Sequence, residues 1–191
     1  MAKANGEHIW AWLDDPAFGP RQHIGILSRG DRGSVRFAYD MTMLGHVDTD
    51  DASYLELAEF IATYGEADFI ARDLEELFTR VVFNVATANR DDHLRNHGFM
   101  RSPGGWTLAP AYDMNPSFKK EEHALSLDTY NRHPDLEIAL STSEYYRLDV
   151  GRAKEIMTDV CNVVGNWKAR ARKLGLTAQE CLEAEHLFCS T

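Results

Sequence analysis

The sequence predicts a mainly α protein of the α+β class: a small antiparallel sheet, then a helical body broken once by a β-hairpin. Three observations lead there. The first forty residues hold short β-branched and aromatic segments divided by Pro, Gly and Asp. From about Met41 the apolar residues recur at helical spacing instead. Midway, two short apolar segments flank Ser102-Pro103-Gly104-Gly105, which is turn chemistry for a hairpin. The change of pattern near Asp40–Met41 divides the chain into residues 1–40, a β-subdomain, and 41–191, a helical lobe.

Bulk properties bound the answer. A chain of 191 residues can bury a real core and has room for one ordinary domain plus a small appendage. With 44% hydrophobic and 26% charged residues and no apolar run near the ~20 that a spanning helix needs, it reads as soluble. The start, Met1 to Glu7, carries no apolar leader, so the cytoplasm is the default and no membrane partner is expected. Cys161, Cys181 and Cys189 form no Cys-x-x-Cys pair, which suggests neither a disulfide framework nor a zinc site, and Cys161 reads as core. A net charge of −10 opposes direct contact with a phosphate backbone and directs any link to DNA through a partner.

Taken in order, His8–Leu13, His23–Leu27 and Ser34–Tyr39 are the strands, with Trp10 and Trp12 on one side as core. Residues 45–51 read as a loop. Ser53-x-x-Glu56 fits a capping box that opens a helix to about Tyr64, with Leu57, Phe60 and Ile61 as its apolar face. A stronger helix covers about Asp68 to Thr87, carrying Leu74, Leu77, Phe78, Val81, Val82 and Val85. His97–Met100 and Trp106–Ala109 make the hairpin. Ser141-x-x-Glu144 is a possible cap and Asp149 an N-cap. Ile156, Val160, Val163, Val164 and Trp167 form a stripe on a helix that Gly175 ends, and Thr177-x-x-Glu180 opens a last one.

The densest polar cluster is Asn89-Arg90-Asp91-Asp92-His93-Leu94-Arg95-Asn96, followed by the hairpin and Asp113. Phosphoryl transfer needs a base for a hydroxyl nucleophile and hard oxygen donors for Mg²⁺. The kinase catalytic loop sets a base five positions before a metal-binding Asn, with a metal-binding Asp beyond. Asp91 and Asn96 have that spacing, and the hairpin would return Asp113 to the side of Asn96. Two other readings stand beside this one. Such loops are often capped turns, and Asp91, Asp92 and His93 could hold a transition metal. His97, His123 and His133 read as structural or surface residues, Tyr112 as packing under the loop, and Glu75-Glu76 and Lys119-Lys120-Glu121-Glu122 as solvated faces.

The run Phe83-Asn84-Val85-x-x-x-Asn89-x-Asp91-Asp92-His93-Leu94-x-Asn96-His97-x-Phe99, then Trp106-x-Leu108-x-Pro110-Ala111-Tyr112-Asp113-Met114-Asn115-Pro116, resembles the core of HipA-like serine/threonine kinases, toxins of HipA/HipB toxin–antitoxin systems. Met41–Gly45 and Ser53–Ala58 are similar to the opening of that family's kinase-like helical lobe, and Trp10–Leu13 and Arg36–Asp40 to its N-terminal β-subdomain. The resemblance implies Asp91 as general base, Asn96 and Asp113 as Mg²⁺ ligands, and Asn89 and His93 as shapers of the loop. Arg95 would face substrate or phosphate charge. It further implies ATP as phosphoryl donor, a protein Ser/Thr as acceptor and a HipB-like antitoxin as partner. The family's ATP-gripping segment would fall between residues 40 and 41, yet Lys3 is the only lysine before Asp91 and no Gly-rich phosphate loop occurs, so no ATP lysine is found. The alternatives to an active kinase are therefore an inactive remnant that binds an antitoxin or other partner, and one half of a split kinase completed by a complementary segment.

Overall fold

The computed structural model describes the backbone of residues 8–13, 22–29 and 35–39, and residues 52–117 and 119–188 with their side chains. Residues 41–51, the side chains of Trp10 and Trp12, and Cys189 lie outside the described residues.

Strands β1 (His8–Leu13), β2 (Gln22–Arg29) and β3 (Val35–Tyr39) form an antiparallel sheet in that order. Trp10 pairs with Ile26, and Ile26 with Ala38, while a shift between Ala11 and Trp12 displaces the register.

The helical body is built round α2 (Ile70–Ala86), the second expected helix with slightly trimmed ends. Leu74, Leu77, Phe78, Val81 and Val82 on it are fully buried. Recurring every three or four residues, they form one face, and that face collects α1 (Tyr54–Tyr64), α3 (Leu136–Ser141) and α4 (Val150–Gly165). Burying each such side chain contributes about 1.5–3 kcal/mol, so this face is the main source of order. Leu57 and Ile61 of α1 meet it fully buried, and Phe60 is partly buried beside them.

Ser53 takes the N-cap position of α1, but its side chain makes no capping bond. The first turn is instead held by backbone: Tyr54 N donates to Ser126 O at 3.1 Å, and Ser126 N to Ala52 O at 3.0 Å. A β-bridge to a distant segment thus replaces the local capping box.

The hairpin forms as expected, from β4 (Phe99–Ser102) and β5 (Gly105–Leu108) with Phe99 opposite Leu108. Polar groups of α2 hold it: Leu108 N donates to Asp73 Oδ2 at 2.7 Å, and Arg80 Nη2 donates to Ala109 O at 2.8 Å. At the other end Glu66 N donates to Trp106 O at 2.9 Å. Gly105 has φ +151°, and a Cβ there would lie 2.6 Å from Glu66 N, so the approach of hairpin to α1–α2 loop demands glycine.

Toward the C-terminus three expectations change. Ser141 ends α3 with its hydroxyl on Ile138 O, and a 3₁₀ turn, Ser143–Tyr146, follows in place of a capped helix. The expected single helix divides at Asn166 into α4 and α5 (Trp167–Lys173), and Val163 is half exposed, so the stripe is only partly interior. Cys161 is half-buried rather than core, whereas Cys181 is buried, and both are free thiols. Asp149 caps α4 by accepting from Arg152 N, and Thr177 and Glu180 form both halves of the capping box on α6 (Ala178–Glu183). No helix among the described residues is long and apolar enough to cross a membrane.

Candidate active site

The polar loop begins where α2 stops. Thr87 N still reaches Phe83 O, but Ala88 adopts a left-handed conformation at φ 53° and the chain turns back, with Asn89 N on Asn84 O at 2.9 Å. Asn89 Nδ2 donates to Asn84 Oδ1 at 3.0 Å, tying the loop to the last turn of the helix.

The two adjacent aspartates part company here. Asp91 is exposed, and its Oδ1 pairs with the ammonium of Lys120. Asp92 is buried, and its Oδ2 accepts from Tyr54 Oη at 2.7 Å and Asn84 Nδ2 at 2.7 Å, with His97 Nε2 at 2.8 Å. Asn84 Nδ2 also reaches Tyr54 Oη at 3.1 Å. Burial pushes the Asp92 carboxyl up, but the His97 ring and the hydrogen bonds of Tyr54 and Asn96 outweigh it and hold the group below the usual carboxylate range. The same burial, with the Asp92 charge, drives the Tyr54 phenol well above its ordinary value, so it stays a donor.

Beyond Asp92 the side chains go to different places. Leu94 is buried in the core and Leu94–Asn96 make one 3₁₀ turn. Arg95 is exposed, and His93, half-buried, lines a cavity. Asn96 is buried, its Nδ2 donates to Asp91 O at 3.4 Å, its side chain bonds Asp92, and it lines a small cleft. That cleft is shared with Ala111, Tyr112 and Met114.

Beyond the hairpin, Tyr112 does not pack under the loop. Its ring is 41% exposed and its hydroxyl donates to Arg95 O at 2.8 Å, which clasps the hairpin exit to the loop one residue from Asn96 and one from Asp113. Asp113 is exposed, sits in a left-handed conformation at φ 56°, and takes Asn115 Nδ2 on Oδ1 at 2.9 Å. Asp and Asn tolerate that conformation better than most residues.

Three further ties fix the loop: Ser117 N to Ala88 O, Ala124 N to Arg90 O, and Arg90 Nη1 to Lys120 O. Lys120 therefore reaches the site from the exposed run Lys119-Lys120-Glu121-Glu122, which is solvated as expected. Tyr54, Asn84 and Lys120 are site residues to which sequence reasoning assigned no role; Asp92 entered only as one of three transition-metal donors, and His97 only as a structural or surface residue. For Asn84 a signal existed, since it falls on the buried face of α2, where a polar side chain requires a partner. For Lys120 there was none.

A transition-metal reading of Asp91, Asp92 and His93 does not hold: one is exposed, one is buried among donors, and one faces a cavity. Among the described residues no group of three His, Cys, Asp or Glu is placed to hold a metal. A Mg²⁺ ion in phosphoryl transfer uses one or two protein oxygens with phosphate and water, and Asn96 and Asp113 each carry a hard oxygen donor of that kind.

A helical body carrying a β-hairpin behind a D-x-x-x-x-N loop is the architecture of a HipA-type kinase-like fold. The chain belongs to the family of HipA-like C-terminal domains, whose model matches residues 17–167. Its structure is similar to that of HipA in a complex of the Shewanella oneidensis MR-1 toxin–antitoxin proteins HipA and HipB with operator DNA, with a TM-score of 0.60 at 15% identity. That match covers 92% of this chain, which spans 44% of the other. No curated protein matches the chain.

Proposed function

We propose that the chain carries the catalytic loop of a HipA-type serine/threonine kinase, the toxin side of a toxin–antitoxin pair, with Mg²⁺-ATP as donor. The observation that supports this most is the Tyr112–Arg95 hydrogen bond of 2.8 Å, which joins the neighbours of Asn96 and Asp113 while Asp91 stays exposed beside them. Asn96 and Asp113 would hold Mg²⁺, which when bound neutralises charge on the phosphates. Asp91 takes the proton of the acceptor hydroxyl. The Lys120 ammonium balances that carboxylate until the hydroxyl displaces it. Asp92 touches no substrate; it is a positioning residue that aims Asp91 and Asn96.

A HipB-like antitoxin is the partner this reading implies, by analogy with the complex found for the similar HipA. The net charge of −10 argues against direct nucleic-acid contact by this chain. A second reading is favoured by one feature: the chain holds neither a Gly-rich phosphate loop nor a lysine between Lys3 and Asp91. In it the module binds a partner, and ATP is gripped only when a complementary segment is supplied.

Isothermal titration with Mg²⁺-ATP beside the Asp113→Asn variant, followed by a phosphotransfer assay beside Asp91→Ala, separates these. Binding that depends on Asp113 and transfer that depends on Asp91 support the kinase. Failure of both, with and without the complementary segment, overturns it in favour of a partner-binding module.

A further inference from the structure

Behind the loop lies a cavity of about 600 Å³, walled by His93 and Arg95 on one side and by Lys120, His123 and Arg132 on the other. The segment that closes it is folded back on itself, with His123 N donating to Arg132 O at 2.9 Å. His123 is only 2% exposed, and the Asn89 backbone is the one hydrogen-bonding neighbour of its ring, which leaves at least one ring nitrogen without a partner. Buried Nη2 of Arg132 and Nδ1 of His93 also lack a partner.

A buried polar atom left unpaired costs about 1–3 kcal/mol, and native proteins hold few. Here three side chains with such atoms line one space, which is far too large for a packing defect and falls within the range of ligand pockets, roughly 300–1,000 Å³. What they have in common is donor chemistry. Arg132 is always charged and offers a fork suited to oxyanions, each imidazole can present an N–H, and Arg95 and Lys120 add positive charge at the edge. Glu121 and Glu122 also line the space and oppose this, but both are exposed, so water screens them more than the half-buried Arg132.

We propose that this cavity binds the phosphoryl group of an organic phosphate, with Arg132, His123 and His93 as its donors. The site is distinct from the proposed metal donors. His93 and Arg95 line the cavity, while Asp92 and Asn96 line the small cleft with Tyr112 and Met114. The loop thus sends its side chains to two separate places. The phosphoryl group can come from a phosphorylated serine or threonine or from a nucleotide.

The test follows the imidazole ¹⁵N resonances of His93 and His123 while the full chain, free of Mg²⁺, is titrated with inorganic phosphate, O-phosphoserine and AMP. Saturable shifts are expected with at least one of them. Arg132→Met should weaken binding at least tenfold and Lys120→Ala several-fold, while Asp113→Asn leaves it unchanged. Tighter binding of phosphoserine assigns a phosphorylated side chain as the source, and tighter binding of AMP a nucleotide. Absence of shifts, shifts that survive in both cation variants, or shifts that need Mg²⁺ and Asp113 overturn the proposal. Because Lys120 is half exposed, its variant remains informative if Arg132→Met fails to fold. Loss of this site is read through Arg132 and loss of the kinase reading through Asp113, so the two fail separately.

Discussion

Replacing Asp92 by alanine should damage the fold far more than the same change at Asp91, one residue away. The Asp92 Oδ2 is the acceptor that Tyr54 and Asn84 reach at 2.7 Å each, with His97 at 2.8 Å, all of them buried. Removing the carboxylate strands these groups in a water-poor interior. A stranded buried group costs about 1–3 kcal/mol. The three do not add, because Asn84 Nδ2 already reaches the Tyr54 hydroxyl and can retain that bond. We therefore expect a loss of about 3–5 kcal/mol, less than the full cost of three stranded groups. For a domain whose whole stability is about 5–15 kcal/mol, that is a large part. Asp91→Ala breaks one pair between half-exposed partners, and surface changes of this kind stay within about 0.5–1 kcal/mol. Urea denaturation of both variants, read by far-UV circular dichroism, measures the contrast. A loss below about 1 kcal/mol in Asp92→Ala would refute the claim that this carboxylate anchors the loop.

Two other outcomes follow from the same physics. Burial, with the Arg90 guanidinium adding to it, lowers His123 to about 4 from its ordinary 6.5, so the unfolded chain binds the proton more readily. Its contribution is complete above pH 6.5 and is lost as the pH falls toward 4. At about 1.4 kcal/mol per pH unit this reaches roughly 3 kcal/mol, and denaturation at pH 7 and pH 5 should show a slope that His123→Gln flattens. Gly105→Ala should cost about 2 kcal/mol or more, since its Cβ would fall 2.6 Å from Glu66 N. Thermal unfolding reads that cost, and an unchanged midpoint contradicts the close approach of the hairpin.

Much of the fold was legible from local pattern. The buried face of α2 follows from apolar residues at helical spacing, the hairpin from Pro103-Gly104 between two apolar segments, and the cap of α6 from Thr177 and Glu180. Local pattern misled where a distant segment offered a better partner. Ser53 and Glu56 read as a capping box, but the backbone of Ser126 takes that role, and Glu56 Oε2 is left buried without a partner. In the site, the interval from Asp91 to Asn96 was plain in the sequence, whereas the fate of Asp92 was not. Neighbouring aspartates are chemically identical until the fold surrounds one of them with donors.

The sequence alone determined the N-terminal strands, α1, α2 and the hairpin in their order, the spacing of Asp91, Asn96 and Asp113, and the family to which these belong. Each depends on residues close in the chain, where periodicity and turn chemistry act. Only the tertiary structure decided that Asp92 goes inside, that Lys120 meets Asp91, and that His93, His123 and Arg132, each with an unpartnered buried nitrogen, share a cavity. The partners Tyr54 and Asp92 lie 38 positions apart, and Lys120 and Asp91 lie 29 apart. Contacts at such range arise from packing helices and loops together, and packing leaves no periodic mark on the chain.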